Sequence, residues 1–314
     1  MAAILAAPVC AGARSARIGV LAPNITPSTS IQVFEQALHG AGWVEGQNLH
    51  VEARTPTWQD TAAVERAISH LIATRPDVLV VWGTVGALAA KRATDQIPIV
   101  FLATGDPIGL GIVPSLARPG ANLTGVTAIA ALDEFGKRLS ILVEAVPAVS
   151  RVALLVGPDG RHLLELSRPT LEAASRTLKV GLLEILVEKD DDLPRSVQWA
   201  KDQGAQALYV WPSGFMLGAG RRLSELALTS RLPSMHPFLE SAFAGGLLSY
   251  AASLTEIARR GASYVDRILR GAKAGEMPVE EPNKFELVIN LRTARALGVT
   301  IPPPLLQRAD HVIE

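Results

Sequence analysis

Residues 78–82 read VLVVW and residues 83–86 read GTVG, and this stretch decides the fold. A short run of only apolar residues is typical of a parallel strand that is covered on both faces. Residues Val85 to Asp95 have apolar spacing near 3.6, which predicts a helix directly after the strand. The stretch is therefore one strand-to-helix step of an α/β fold.

The same step repeats on both sides of this stretch. Because alternating strands and helices require parallel sheets with right-handed crossovers, two successive series predict two doubly wound sheets, each with helices on both faces. The first series has strands at 17–21, 49–54, 78–82, 99–102 and 125–127, helices at 29–41, 61–75 and 85–95, and a short helix after Pro107. The second has strands at 151–156, 181–187, 207–210, 233–235, 246–249 and 285–290, and helices at 133–146, 161–178, 193–203, 216–230 and 255–270.

Composition restricts the class of protein. A chain of 314 residues with 48% hydrophobic and 19% charged residues is long enough for two domains and is predicted to be globular throughout. Its 30 basic and 30 acidic residues give a formal net charge of zero without a basic tail, which argues against a nucleic-acid partner. Cys10 is the single cysteine, so the sequence predicts no internal disulfide and no multi-cysteine zinc site.

The N-terminal residues 1–16 are small or apolar up to Arg14, and Ala-Gly-Ala and Ser-Ala steps precede Arg17. This pattern resembles the second half of a secretory signal peptide, which predicts export to the periplasm. The alternative is an unstructured leader on a cytoplasmic protein. Val9 before Cys10 matches a lipoprotein processing box poorly, so lipid anchoring has weak support.

Ligands of doubly wound sheets bind beyond the carboxyl ends of the strands, where helix N-termini present free N–H groups. Gly83 at such a junction lets a ligand approach the backbone, and Thr84 offers a hydroxyl beside the free amides. A carboxylate suits this junction, although Thr84 alternatively caps its own helix. Asp106 precedes Pro107 at the next junction, and it either caps a helix or is the counter-ion of a ligand ammonium.

Other strand ends complete the candidate site. Asn24 lies in a polar, proline-stiffened segment after the first strand, where an ordinary turn is the alternative. In the second half, residues 157–160 and Ser213 follow two strands and are predicted to form the opposing wall. Trp211 ends a strand on the ligand side, where its ring either stacks on a solute or packs in the core. The set also contains two residues near the predicted link back to the first lobe, Glu240 and Tyr250.

Short motifs of catalysis and cofactor binding are missing from the sequence. Residues 22–24 read APN where a dinucleotide site needs Gly-x-Gly-x-x-Gly, so no nucleotide cofactor is predicted. The six histidines lack metal-site spacing and Ser213 lacks a Gly-x-Ser-x-Gly context, so no metal site, nucleophile or other catalytic residue is predicted. The alternative from another class is an α/β enzyme that acts on a small carboxylate with Asp106 or Glu240 as base.

Several longer motifs, taken together, are specific to one family. They are GWVEGQN at 42–48, IPIV at 97–100, GDP at 105–107, SLARPG at 115–120 with NLTG at 122–125, GGLLSY at 245–250 and KFELVIN at 284–290. On these residues, over about Arg17 to Glu314, the chain resembles the ABC-transporter substrate-binding proteins related to the tryptophan-binding TrpX type.

The resemblance implies a type I periplasmic-binding fold, in which two lobes are joined by three hinge crossings. The three crossings would lie near Val126, Gly246 and Pro282. Lobe 1 would then contain residues 17–126 plus 246–281, and lobe 2 residues 127–245 plus 282–314. Residues 1–16 would be a leader. The resemblance also implies an exported protein that delivers its ligand to a membrane permease and ATPase, with relatives that bind amino acids, often aromatic ones. We also expect a monomer.

By the same resemblance, Gly83, Thr84 and Asp106 match the ligand-facing junctions of the family. Ser213 and Gly214 stand about where relatives carry an acidic residue, which leaves the identity of the ligand open. We hypothesise that the lobes close around a carboxylate-bearing, amino-acid-like solute, with Thr84 and helix amides holding the anion and Asp106 the ammonium. The sensor domain of a regulator is a third interpretation, although we expect no DNA-binding module ahead of residue 17.

Overall fold

The computed structural model describes residues 15–22, 29–57 and 60–314. The predicted candidate Asn24, the Cys10 thiol and nearly all of the proposed leader lie outside the described residues. Within these residues the chain forms two separate sheets, one of five strands and one of seven. The two-lobed α/β architecture predicted from the sequence is therefore confirmed.

The first sheet is built by the N-terminal part of the chain. Its elements are β1 (Ala16–Leu21), α1 (Thr29–Gly40), β2 (Leu49–Arg54), α2 (Thr61–Ala73), β3 (Val78–Trp82), α3 (Gly83–Ala93), β4 (Ile99–Thr104) and β5 (Leu123–Thr127). The strand order is β2-β1-β3-β4-β5, and all neighbouring strands are parallel. Every residue of β3 is buried, as expected for an apolar strand that is covered on both faces.

The second sheet and its helices follow. The elements are α4 (Glu134–Ala145), β6 (Arg151–Val156), α5 (Arg161–Leu178), β7 (Gly181–Leu186), α6 (Leu193–Asp202), β8 (Ala207–Val210), α7 (Gly214–Gly218), α8 (Gly220–Thr229), β9 (Ser234–His236), α9 (Leu239–Phe243), β10 (Leu248–Ala252), α10 (Leu254–Leu269), β11 (Phe285–Asn290), α11 (Leu291–Leu297), α12 (Pro303–Leu306) and β12 (His311–Ile313). The strand order is β12-β11-β10-β9-β8-β6-β7. Of the neighbouring pairs, β10 and β11 are antiparallel and the others are parallel.

One helix of the C-terminal part belongs to the first lobe. Helix α10 packs against α1 and β4 and shares a buried apolar cluster with the first sheet. Ser253 starts this helix as its N-cap, because its side chain accepts a hydrogen bond from Glu256 N at 3.4 Å. Among the helices of residues 15–22, 29–57 and 60–314, none has both the length and the apolar character that a membrane crossing needs.

The chain passes between the two sheets three times. It leaves the first sheet after Thr127, returns between β10 and α10, and leaves again after Glu280, whose backbone pairs with β5. The return crossing expected near Gly246 must be corrected. Strand β10 pairs with β9 and β11, so residues 248–252 belong to the second sheet and the crossing follows Ala252.

Some predicted elements differ from those in the structure. The predicted helix 216–230 is two helices, α7 and α8, which meet at Gly218 to Gly220, where glycine is a poor helix former. The predicted helix after Pro107 is a turn, in which Gly111 N donates to Ile108 O at 2.9 Å. Four further short elements were not predicted from the sequence, namely α9, α11, α12 and β12.

Candidate ligand-binding site

A cavity of about 330 Å³ lies between the two sheets. Its lining comes from the carboxyl ends of β3 and β4 in the first sheet and of β6, β8, β9 and β10 in the second. Ligand crevices of doubly wound sheets lie at this edge, and the volume is within the range of small-molecule sites. The cavity is therefore the candidate binding site.

The wall from the first sheet is the N-terminus of α3. Gly83 begins the helix at φ +72°, a conformation that favours glycine, and a Cβ added there would meet no described atom within 4 Å. Thr84 Oγ1 accepts a hydrogen bond from Gly105 N at 3.1 Å, so this hydroxyl joins two junctions. No side chain in the described part of the protein caps α3, which leaves the first amides of the helix available to an anion.

The wall from the second sheet carries a buried carboxylate, Asp159. Its Oδ2 accepts hydrogen bonds from Gly214 N at 2.7 Å and Phe215 N at 3.3 Å, at the start of α7. Its Oδ1 is buried without a hydrogen-bond partner among the residues described. Desolvation raises the pKa of Asp159 above its ordinary value, although the nearby Ser213 side chain and the backbone amides act in the opposite direction. This carboxylate oxygen is therefore a candidate contact for a cation.

A buried arginine lines the cavity beside the hinge crossings. Arg138 on α4 is 2% exposed, and its Nε donates to Tyr250 O at 2.7 Å. Its Nη2 lies 3.7 Å from Glu134 Oε2, whereas Nη1 has no hydrogen-bond partner within the described ranges. Desolvation raises the pKa of Glu134, although the charge of Arg138 and two backbone amides oppose the change. The cavity thus contains a fixed cation with one donor group that no described residue uses.

The rest of the lining is mainly apolar and comes from both lobes. On one side α3 packs against α7 across the cleft. On the other side, the side chain of Leu163 on α5 lies 3.3 Å from where a Cβ of Gly105 would be. The larger apolar lining residues are Trp82, Val85, Leu88, Leu110, Ile129, Leu163, Leu217, Phe238 and Leu254. The cavity is therefore a largely apolar space with a few charged and polar groups, as small-molecule sites usually are.

Comparison with known proteins identifies the family. A family model described as ABC transporter substrate binding protein matches residues 18–313. The chain belongs to this family. The crystal structure of a conserved domain protein from Vibrio cholerae is 26% identical to the substrate-binding protein, with a TM-score of 0.87, and the match covers 95% of this chain and 100% of that one.

Other relatives agree with this assignment. The structure of an ABC domain from Streptococcus pneumonia in complex with L-Trp is 21% identical, with a TM-score of 0.81, over 94% of this chain and 100% of that one. A tyrosine-binding protein of Clostridioides difficile (strain R20291) is 23% identical over 269 residues, which are 85% of this chain and 75% of that protein. The substrate-binding protein has the type I periplasmic-binding fold, and the family resemblance inferred from the sequence is confirmed.

The structure brings three of the predicted site residues of the substrate-binding protein to the cavity. Gly83, Thr84 and Ser213 line it, from opposite lobes. Asp106 lies outside the lining. Its Oδ1 accepts from the backbone amides of Ile108 and Gly109, both at 3.0 Å, so Asp106 stabilises its own turn.

Trp211 also lies outside the lining, in the core of the second lobe. Its ring is 0% exposed and lies 4.3 Å, centroid to centroid, from the ring of Phe135. Its Nε1 donates to Gly160 O at 3.1 Å, which satisfies the polar atom of the ring. The structure therefore gives this tryptophan the packing role that the sequence left as the alternative.

Glu240 and Tyr250 lie outside the lining as well. Glu240 is on α9, where desolvation raises its pKa and Oε2 has no hydrogen-bond partner in the described chain. The ring of Tyr250 stacks on Phe285 at 5.6 Å, and the carbonyl of Tyr250 holds Arg138. Tyr250 therefore supports a lining residue rather than contacting the cavity itself.

Asp159 and Arg138 are among the lining residues of the substrate-binding protein that were not selected individually from the sequence. Asp159 lies within the 157–160 junction, which was predicted as part of the opposing wall, but its carboxylate could not be told from an ordinary cap. Arg138 follows Phe135 by three residues and precedes Leu139, so it lies on the buried face of α4. A charged residue on an apolar stripe is rare, and this was the signal that could have marked it.

His236 is a buried histidine at the end of β9, next to the lining residue Pro237. Its Nε2 lies 3.0 Å from Ser234 Oγ. Burial lowers the pKa of His236 from 6.5 to about 4. In the unfolded chain His236 regains its ordinary pKa, so between about pH 6.5 and pH 4 the unfolded state binds a proton that the folded state does not. The stability that the neutral His236 contributes is therefore lost as the pH falls from about 6.5 toward 4.

We expect the wild type to lose about 2 kcal/mol more free energy of unfolding than a His236→Asn variant between pH 7 and pH 5. Urea unfolding at the two pH values measures this difference. The buried carboxylates also make the free energy of unfolding depend on pH, but their effect cancels in the comparison because both proteins contain them. A His39→Asn variant, changed at an exposed position of α1, is the control and should follow the wild type. The same pH dependence in wild type and His236→Asn would contradict the prediction.

Proposed function

We propose that this protein is the solute-binding component of an ABC importer and that it captures an amino-acid-like solute with an apolar, aromatic side chain. The observation that carries the proposal is a helix N-terminus that no described side chain caps, on one wall of the cavity, and a buried carboxylate, Asp159, on the other. These two features suit the carboxylate and the ammonium of one zwitterion.

The ammonium is assigned to Asp159 Oδ1. The other oxygen of this carboxylate accepts from the amides of Gly214 and Phe215, while Oδ1 is buried and has no partner in the part of the chain that the structure describes. A ligand cation would supply the stabilisation that desolvation removes from the charged carboxylate. Asp159 thus takes the role that the sequence suggested for Asp106, whose carboxylate holds its own turn.

The carboxylate is assigned to the N-terminus of α3, with Gly83 and Thr84. The amides of a helix start and the helix dipole favour a negative group. Helix α3 packs against α7, and Gly214 at the start of α7 donates to Asp159. The anion and cation contacts therefore lie on neighbouring elements across the cleft, which suits the adjacent charged groups of an α-amino acid.

The apolar part of the lining is assigned to the side chain of the solute. Leu88, Leu163 and Phe238 from different elements enclose the space, and Trp82 offers a ring. The names of two relatives support an aromatic amino acid, because one was solved with L-Trp and another is a tyrosine-binding protein.

The transport role extends the proposal beyond the binding site. The protein is exported to the periplasm, closes on its solute by hinge motion as a monomer, and delivers it unchanged to a membrane permease and ATPase. A solute that contacts both lobes shifts the equilibrium toward the closed form, which a membrane partner can recognise. Asp106 and Glu240 lie outside the cavity lining. This argues against the enzyme alternative, because that alternative needs one of the two as the catalytic base.

A thermal-shift screen tests this function. L-tryptophan, L-tyrosine and L-phenylalanine are expected to raise the melting temperature, since a ligand at 100 times its dissociation constant adds about 2.7 kcal/mol to the stability of the folded state. Ribose is the control and should leave the melting temperature unchanged. Stabilisation by ribose without any effect of the amino acids would contradict the proposal, and chemical conversion of a bound amino acid would favour the enzyme alternative.

A further inference from the structure

The guanidinium of Arg138 is a buried cation with a donor that no described group uses. It is 2% exposed, it lines the cavity, and its Nη1 has no hydrogen-bond partner in the described residues. Buried polar groups in native proteins are nearly always paired, so an unused donor at a cavity wall points to a ligand group. The zwitterion contacts at Asp159 and α3 do not account for this donor.

The rest of the guanidinium is held in place by the hinge. Its Nε donates to Tyr250 O at 2.7 Å, on the strand that leads into the return crossing. Its ion-pair partner Glu134 accepts from Ala130 N at 2.6 Å and Ala131 N at 3.1 Å, in the first crossing. A donor fixed on two crossings is preorganised, so little ordering is needed when a ligand binds.

The immediate charge balance favours an uncharged acceptor on the ligand, because the carboxylate of Glu134 already balances the charge of Arg138. Glu134 Oε2 lies 3.7 Å from Nη2, beyond normal hydrogen-bond distance, and the neighbouring crossing residues that line the cavity are apolar, among them Ile129 and Leu254. In such surroundings a hydrogen bond to a charged donor is stronger than in water. An apolar ligand group placed here would leave Nη1 unpaired.

We propose that Arg138 forms a second polar subsite, at the hinge end of the cavity, which binds an acceptor group at the far end of the ligand side chain. The inference rests on the proposed function, which assigns the ligand carboxylate and ammonium elsewhere. It narrows the ligand to aromatic amino acids whose side chain carries a hydrogen-bond acceptor, such as a phenolic hydroxyl. An indole N–H can only donate and does not satisfy Arg138.

The test is isothermal titration of the full chain with L-tyrosine, L-phenylalanine and L-tryptophan. We expect the wild type to bind L-tyrosine at least about tenfold more tightly than the other two, because a hydrogen bond to a charged donor contributes on this scale. Arg138→Met should remove the preference. Arg138→Lys keeps the charge, but its single nitrogen cannot occupy the positions of both Nε, which holds Tyr250 O, and Nη1, so most of the preference should be lost there too.

The control is Arg308→Met, which removes an exposed arginine that contacts both carboxylate oxygens of Glu144 at 3.0 Å, and it should keep the wild-type preference. Equal affinities in the wild type, or a tyrosine preference that survives in Arg138→Met or Arg138→Lys, overturn this inference and leave the proposed function intact. Failure of all three amino acids to bind the wild type overturns the proposed function and this inference together. The titrations of the wild type with the three amino acids test the inference even if a variant fails to fold.

Discussion

Replacing Asp159 with asparagine is expected to weaken the binding of an aromatic amino acid by about 100-fold, because removing one partner of a buried charge pair has effects of this size. An asparagine can keep its single oxygen for the amides of Gly214 and Phe215, but it then presents an NH₂ group, which is only a donor, to the ligand ammonium. Isothermal titration of wild type and variant with the same amino acid measures the change.

The matched control for this prediction is Asp106→Asn, which changes the carboxylate that the sequence first suggested for the same role. This variant should bind the amino acid as the wild type does, since Asp106 lies outside the cavity lining. A ligand without the ammonium, 3-phenylpropionate, should bind the wild type and Asp159→Asn with similar affinity. Loss of binding in Asp106→Asn with normal binding in Asp159→Asn would reverse the assignment.

Replacing Trp211 with alanine is expected to lower the free energy of unfolding by about 3–5 kcal/mol, the usual range for deleting a large buried aromatic side chain. The ring is 0% exposed, packs against Phe135 and Tyr209, and fills space at Gly160. Urea unfolding followed by circular dichroism measures the difference.

Trp199→Ala is the control for Trp211→Ala, because the same side chain is removed from a position on α6 that is 43% exposed. Its effect on the free energy of unfolding should be much smaller. If Trp211→Ala were as stable as the wild type but bound the amino acid poorly, the tryptophan would be a ligand contact rather than a core residue.

The regular part of the fold was predictable because local patterns agree with it. The run at 78–82 became β3, and the predicted bounds of the 151–156 strand and the 161–178 helix are those of β6 and α5. Strand β10 was displaced in the prediction because its position depends on pairing with β9 and β11, which lie far apart in sequence. Tertiary pairing of this kind leaves no signal in a window of a few residues.

The candidate site was predictable only at the level of junctions. Asp106 and Asp159 both follow a strand and precede a turn or helix, so their sequence context is similar. What separates them is which backbone amides their oxygens accept from: Asp106 accepts from its own turn, whereas Asp159 accepts from the start of α7, 55 residues later in the sequence. Arg138 lies within helix α4 and is distant in sequence from the end of any strand. It could therefore not be selected when the candidate residues were taken from strand-to-helix junctions.

The proposed binding site is tested most directly by a crystal structure of the protein with the aromatic amino acid that stabilises it most. We expect one amino acid molecule between the lobes, with its nitrogen within about 3.2 Å of Asp159 Oδ1 and its carboxylate at the amides of Gly83 and Thr84. Electron density for the amino acid outside this cavity, or with its carboxylate against Asp159, would contradict the proposed site.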